Sequence, residues 1–570
     1  MPASPSRGFK YHGRYTPSLL PLRTSMFSGL FLILSSLFQT RFPFTTGPTV
    51  SLDYGTFLGT IDGNLTKYLG VPYALPATRF ELPEPPLSLT GLQDATQFGP
   101  SCPQQALSSI PIDFPNNPTS VSEDCLNLDV ILPTEASPTS KLPVLVWIYG
   151  GAFEVGNTAL TDVRGTVERS IVLGEPVIIV ALNYRVSAFG FLAGQEVLDA
   201  GVTNLGIRDQ TLALEWVQKH ISAFGGDPTR VVIGGQSAGA VSTGLHLLPK
   251  KHSSTHLFRG AVMMSGIPWA LPSATSALAQ TTYDTLVRAN NCSSSPDTLA
   301  CLRNVPFDEF MQTVNQTPDV FSYSSLALVY RPRVDGDVVL RAPLEAVRDD
   351  EVVKVPLMAG GCEDEGTLFS FSSMNVTTDS EFVEYVHTNF LPTATSEQVS
   401  RIATLYPQDP TQGSPFGTGE QNQVTPQFKR IAAFQGDLTF IGLRRFFLTH
   451  VSKAQDTWSW VNKRGKSTPT IGAFHSSDLS LFFPPPSPVV DTDTDTVVVD
   501  SFINFINTLN PNLPAPLSNT TLWPKWTSED KQLLTLSDPL GVDVEKDDFR
   551  EAGIDFLNEL HLAGVTSRGL

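Results

Sequence analysis

The sequence predicts an α/β fold in which a large, mostly parallel central sheet is flanked by helices. Three observations predict it: short, nearly continuous apolar runs recur along the chain, helical apolar patterns lie between them, and no repeat or low-complexity linker divides the region after the leader. The runs are "LPVLVWIYG" (142–150), "PVIIVALNY" (176–184), "RVVIGG" (230–235), "RGAVMMSG" (259–266) and "VPLMAG" (355–360). Strands that are apolar on both faces belong in a sheet covered on both sides, and such sheets are mostly parallel. The clearest helix falls between the second run and the third, from Leu212 to Phe224. Its Leu212, Trp216, Val217, Ile221 and Phe224 recur at helical spacing. Strand and helix in alternation require right-handed crossovers. The sections 275–350 and 375–450 lack such runs and read as helical insertions in one large domain spanning 48–570.

Composition narrows the function classes. At 41% hydrophobic and 16% charged residues the chain is a folded globular protein, not a disordered one. A formal net charge of −18 argues against nucleic acid or an anionic membrane surface as a partner, because both would repel it. Nothing marks an obligate protein partner.

Residues 1–40 read as a targeting leader. Arg7, Lys10, Arg14 and Arg23 precede the apolar stretch Met26 to Phe38, which is too short for a comfortable membrane span. No small-residue cleavage site stands out near "FQTRFPF", so the reading is a signal peptide, with an uncleaved N-terminal anchor as the alternative and Met26 as an alternative start. Secretion is the expectation. The five cysteines agree, since none of their spacings resembles a zinc or redox motif. In an oxidising compartment Cys102 with Cys125, and Cys292 with Cys301, each close a short loop worth about 3 kcal/mol. Cys362 is left over and reads as a small buried apolar residue. Sequons at Asn64, Asn315, Asn375 and Asn519 suit a glycosylated exported protein. The run "DTDTDTVVVD" (491–500) has neither the glycine nor the distal Glu of a calcium loop, and reads as a solvated turn leading into a helix at Ser501.

One stretch carries chemistry. In "VVIGGQSAGAVS" (231–242) a serine stands between glycines, after a β-branched run and before a helix-forming segment. That is the strand–turn–helix setting of a nucleophile elbow. Gly235 and Gly239 let the backbone double back, and Ser237 then sits at a helix N-terminus, where the dipole and the N–H of Ala238 favour negative charge. A phosphate loop is excluded, because no Lys-Ser/Thr follows the glycines.

The wider segment "FGGDPTRVVIGGQSAG" (224–239), with "EDCLNLDV" (123–130), "GVPYA" (70–74), "NYR" (183–185), "LGIRDQ" (205–210) and "DEG" (364–366), resembles the type-B carboxylesterase family, which includes cholinesterases and large microbial lipases. The likeness runs from about residue 50 to the C-terminus. It implies an α/β-hydrolase fold and ester hydrolysis by an acyl-enzyme route without metal or cofactor. A serine hydroxyl needs a base, and the base needs a carboxylate to orient it. Of nine histidines, His475 in "GAFHSSDL" matches the family's base. His246 lies on the helix after the elbow, facing away, while His252 and His256 lie in a polar loop. The matching acid is Glu365 in "CEDEGTLF", selected only by alignment to "DEG", since its neighbours Glu363 and Asp364 are equally acidic. The oxyanion donors correspond to the N–H groups of Gly151 and Ala152 in "IYGGAF", with Ala238 as the third. Ser265 and Asp478 match positions that brace the histidine in relatives. Gln236 stands where Glu is common; this removes a buried charge without touching a catalytic atom.

In relatives the loop closed by the first disulfide flanks the gorge or forms a lid. Here it spans 103–124, and its apolar residues are Leu107, Ile110, Ile112 and Phe114. So short and sparsely apolar a loop points to an esterase for small or medium carboxylic esters, with a triacylglycerol lipase as the alternative. The loop holds no Trp to serve as a platform for a quaternary ammonium. Some family members are adhesion proteins without the nucleophile, and the retained Ser237, Glu365 and His475 argue against that class.

Overall fold

A computed structural model describes residues 47–112, 120–251, 257–486, 496–512 and 521–566. The leader, Phe114, His252, His256, Asn519 and the first half of the acidic run (491–495) lie outside the described residues. Strands β1 (Thr49–Leu52), β2 (Gly55–Leu58) and β5 (Leu92–Asp94) form a small sheet. The large sheet comprises β3 (Thr60–Asp62), β4 (Leu65–Pro72), β6 (Asn127–Pro133), β7 (Leu142–Ile148), β8 (Ile178–Leu182), β9 (Gly226–Gln236), β10 (Gly260–Met264), β11 (Leu357–Cys362), β12 (Thr457–Asn462), β13 (Gln532–Ser537) and β14 (Gly541–Lys546). Its order is β14-β13-β12-β11-β10-β9-β7-β8-β6-β4-β3. From β8 to β13 neighbours run parallel; β6, β4 and β3 on one side and β14 on the other are antiparallel. This is the α/β-hydrolase fold.

All five apolar runs of the sequence are central strands of this sheet, and alternate residues face two cores. On β7, Val144, Val146 and Ile148 enter one core while Leu145 and Trp147 enter the other. Both faces being covered explains why these strands read as unbroken apolar runs. The predicted helix begins earlier than its apolar stripe: it spans Leu205–His220 and tightens into a 3₁₀ turn over Ile221–Phe224, with Trp216, Val217, Ile221 and Phe224 buried. The section 275–350 holds helices Ala277–Ala289, Thr298–Asn304, Phe307–Val314 and Pro343–Arg348. The section 375–450 is likewise helical, from Asp379–Asn389 to Gly442–Val451.

Both expected disulfides are present, Cys102–Cys125 and Cys292–Cys301, and Cys362 is free and buried. One expectation is overturned. The helix after the acidic run starts at Val497, not Ser501, and its Asp500 is buried in a two-pronged ion pair with Arg169 (2.7 and 2.8 Å), so the end of that run is part of the packing between helices.

Candidate active site

Parallel strands deliver side chains to a common edge, the one formed by their carboxyl ends. Here β7 ends at Ile148 and releases the Gly150–Gly151–Ala152 turn, β9 ends at Gln236 beside Ser237, and β11 ends at Cys362, three residues before Glu365. A loop beyond β12 supplies His475.

The elbow is tight for a measurable reason. A Cβ on Gly235 would fall 2.4 Å from the backbone of Gly239, and one on Gly239 would fall 2.0 Å from the carbonyl oxygen of Ile148. Between them Ser237 holds φ 54° and ψ −123°, a conformation side-chain-bearing residues rarely adopt. The helix Ala238–His246 starts immediately, so the Ala238 N–H, at its first position, has no partner inside the helix. The β7 turn is strained too: Gly151, Ala152 and Phe153 have φ of 112°, 59° and 61°. Among the described residues the N–H groups of Gly151 and Ala152 donate to no backbone carbonyl.

Glu365 is buried, and each carboxylate oxygen is engaged. Oε2 lies 2.5 Å from His475 Nδ1, while Oε1 accepts from Ser265 Oγ and from the Cys362 N–H, both at 2.7 Å. Its neighbours are not idle acids. Asp364 accepts from the Ala473 N–H (2.9 Å) and from Lys466 (2.6 Å), and so ties the segment after β11, which carries Glu365, to the loop carrying His475. Glu363 meets the same lysine. The rings of Phe369 and Phe440 flank the imidazole at 5.2 and 4.7 Å.

The structure alters three expectations about the surroundings. Ser265 reaches the histidine only through Glu365. Asp478 does not hydrogen-bond the histidine; its Oδ2 accepts from the indole of Trp460 (3.0 Å), and burial, then the Glu365 charge, push its carboxyl up to about 6. Gln236, expected to touch no catalytic atom, places its amide nitrogen 3.1 Å from His475 Nε2 and 2.8 Å from Ser476 Oγ. The turn that brings the histidine loop over the end of β9 is set by tertiary contacts, so no local pattern announced this approach. His246 is buried against Gln210 and Lys250, away from the cavity.

Ser237, Ala238, Gly151, Ala152, His475 and Gln236 line one cavity of about 320 Å³. Ser237 Oγ has no hydrogen-bond partner among the described residues, and His475 Nε2 meets the Gln236 amide instead. The rest of the wall is apolar, including Val155, Val241, Phe321, Leu328 and Phe440. Trp269, from the segment after β10, also lines it, so the cavity has a Trp although the disulfide loop holds none. That loop contributes Ile112 to the cavity, while its Leu107 and Ile110 pack on the core. Among the described residues no group of His, Cys, Asp and Glu is placed to hold a metal ion.

Comparisons with known proteins show the family and the fold. The profile of the Carboxylesterase family matches residues 46–552. The chain is 37% identical to lipase 4 of Diutina rugosa over 540 residues, covering 90% of this chain and 95% of that one. It is 37% identical to a secreted triacylglycerol lipase of Gibberella zeae over 532 residues, covering 89% and 90%. In structure it is similar to EstA of Aspergillus niger, with a TM-score of 0.78 and 27% identity over 92% of this chain and 99% of that one.

Proposed function

The chain belongs to the carboxylesterase family and is a carboxylic ester hydrolase; from that premise we propose that it is secreted and works through a Ser237–His475–Glu365 triad. The observation that carries the triad is the 2.5 Å contact of Glu365 with His475 Nδ1, which leaves Nε2 as the basic nitrogen, on the cavity that Ser237 also lines. Ser237 Oγ attacks the acyl carbon as its proton passes to His475 Nε2, and Glu365 steadies the imidazolium. The tetrahedral oxyanion is held by the N–H groups of Gly151, Ala152 and Ala238. His475 then protonates the departing alcohol, and by the same route activates the water that releases the acid from the acyl-enzyme. These steps need no metal or cofactor.

The substrate is a small or medium ester with an apolar acyl group. A cavity near 320 Å³ with apolar walls is at the small end of ligand pockets, suited to one such chain. The second reading is a triacylglycerol lipase, favoured by the relatives named as lipases. Secretion is supported by the relative named as secreted and by the two disulfides. Among the described residues no helix is long and apolar enough to cross a membrane. The leader (1–40) with a hydrolase domain from 48 to 570 completes the reading. Of the sequons, Asn64, Asn315 and Asn375 are exposed, although Asn315 Oδ1 accepts from the Ala106 N–H and suits glycan attachment least.

Ser237→Ala tests the triad: turnover of a chromogenic ester and labelling by a fluorophosphonate are both lost, leaving roughly 10³–10⁴-fold over water. Near-wild-type turnover in that variant would refute the assignment. Hydrolysis across acyl chain lengths, below and above the solubility limit, separates the two substrate readings; a jump in rate above that limit selects the lipase.

A further inference from the structure

The oxyanion turn is closed by its own backbone and held in place by the residues that follow it. The Gly151 carbonyl accepts from the N–H groups of Glu154 (2.9 Å) and Val155 (3.0 Å). Beyond the turn, the Phe153 carbonyl accepts from the Ser187 N–H, the Glu154 carbonyl accepts from the Gln105 N–H, and Gly156 is bonded both ways by the Gln104 amide. Among the described residues none of these anchors, Ser187, Gln105 or Gln104, lines the catalytic cavity. One contact does reach the cavity wall: Glu154 Oε2 accepts from the Val320 N–H at 2.8 Å.

Val320 belongs to a braced stretch. The next N–H, that of Phe321, donates to Asp319 Oδ1 (2.8 Å), and Asp319 also accepts from the N–H (3.1 Å) and the hydroxyl (2.6 Å) of Ser108. Phe321 lines the cavity, and its ring stacks on Phe369, which flanks His475. The Glu154 side chain therefore joins the turn that carries the oxyanion donors to a wall that continues to the imidazole.

An acid is a costly way to make that bond. Glu154 is buried, its Oε1 has no partner among the described residues, and burial pushes its carboxyl well above the usual range. The charged group that acts on it is a second acid, Asp319, so no cation offsets the cost. An apolar side chain of similar volume would fill the space without that cost but could not accept from Val320. The turn needs such a hold. Ala152 and Phe153 sit at φ 59° and 61°, a conformation that persists only where the surroundings over-determine it.

Resting on the triad and oxyanion donors proposed above, we propose that Glu154 is a positioning residue that pins the oxyanion turn against the Val320–Phe321 wall and so keeps the Gly151 and Ala152 N–H groups aimed at the developing oxyanion. Glu154 itself does not line the cavity. Its effect falls on the transition state, where the negative oxygen forms, and not on the bound ester.

The test is kcat and KM of the wild type, Glu154→Leu, Glu154→Gln and Glu154→Asp on a chromogenic butyrate ester. Affinity for a boronic acid that forms a tetrahedral adduct on Ser237 is measured on each, with the thermal midpoint. In Glu154→Leu kcat falls about tenfold or more, short of the 10²–10³ of a donor removed outright, while KM stays within about threefold. Boronic acid affinity falls by a similar factor. Glu154→Gln keeps an acceptor for the Val320 N–H and recovers kcat to within about threefold of wild type. Glu154→Asp, one methylene short of that N–H, shows the same split as Glu154→Leu. A lowered midpoint with wild-type kcat in folded Glu154→Leu overturns the proposal, as does a raised KM at unchanged kcat, or a Glu154→Gln loss as deep as that of Glu154→Leu. Should Glu154→Leu fail to fold, wild-type kcat in Glu154→Asp overturns it equally. Ser237→Ala run alongside separates the two ideas: retained turnover sinks the triad, whereas lost turnover there with wild-type kcat in the Glu154 variants sinks only the role of Glu154.

Discussion

The two most conspicuous motifs of the sequence, "GGQSAG" at 234–239 and "EDCLNLDV" at 123–130, are both largely buried and rich in polar groups, yet they do different work. In the second, nearly every polar group is answered by the scaffold. Glu123 takes a two-pronged ion pair from Arg79 (2.6 and 3.0 Å), Cys125 is bridged to Cys102, Asn127 donates to the carbonyls of Pro100 and Cys125, and Asp129 accepts from the Gly70 N–H. None of these residues lines the cavity. At the elbow the reverse holds: Ser237 sits in a strained conformation, its hydroxyl is unbonded among the described residues, and it opens on the cavity. Satisfied polar groups build; strained and unsatisfied ones are where chemistry is placed. If that contrast is right, changes on one side should alter rate without stability, and on the other stability without rate.

The largest effect should come from the catalytic side. Glu365→Gln keeps the shape, but with its amide oxygen held by Ser265 and the Cys362 N–H it offers His475 Nδ1 a donor, which favours the wrong tautomer. We expect kcat to fall about 10⁴-fold, comparable to losing the orienting acid of a serine triad. The thermal midpoint should stay within a few degrees, because Ser265 and the Cys362 N–H can still bond the amide oxygen. A large drop in midpoint with modest kinetic loss would place Glu365 on the scaffold side of the comparison.

The same contrast explains what was legible in the sequence. The central strands showed because burial on both faces leaves no polar punctuation. β12 and β14 did not: Thr457, Ser459 and Asn462 break the apolar run of one, and the other is a largely exposed edge. Ser237 was legible because the elbow demands glycines at fixed offsets, whereas Glu365 was chosen from three adjacent acids only by likeness to a family. Its selection has a physical counterpart in the structure, since Asp364 turns to the Ala473 N–H and leaves Glu365 to meet the ring. Contacts between Gln236 and His475, or between Trp460 and Asp478, join residues far apart in the chain and leave no local signature.

On the scaffold side, removing the first disulfide is the stronger perturbation. Cys102→Ser with Cys125→Ser frees a loop whose ends are 23 positions apart, and loop-closure entropy alone sets the loss at about 3 kcal/mol. Denaturant midpoints should fall accordingly while kcat at a temperature where the variant stays folded changes less than about threefold, because the bridge lies outside the cavity wall and its loop contributes, among the described residues, Ile112 alone. A collapse of kcat in folded variant would mean that the loop acts on the site and that the two regions are not separable.

The subtlest test uses the one flaw in the second motif. Asp129 accepts from the Gly70 N–H through Oδ1, but its Oδ2 is buried without a partner, and desolvation pushes the carboxyl up to about 6. A folded-state value above the unfolded one means that the protonated form is favoured on folding. The associated stability is fully present below about pH 4 and is lost as pH rises through about 6. Asp129→Asn keeps the acceptor for Gly70 and cannot ionise. The variant should therefore match the wild type within about 1 kcal/mol at pH 4 and exceed it by up to about 3 kcal/mol at pH 7. Urea midpoints at the two pH values read this directly, and a stability difference that does not grow with pH would show that Asp129 is paired in a way the two-sided contrast does not allow.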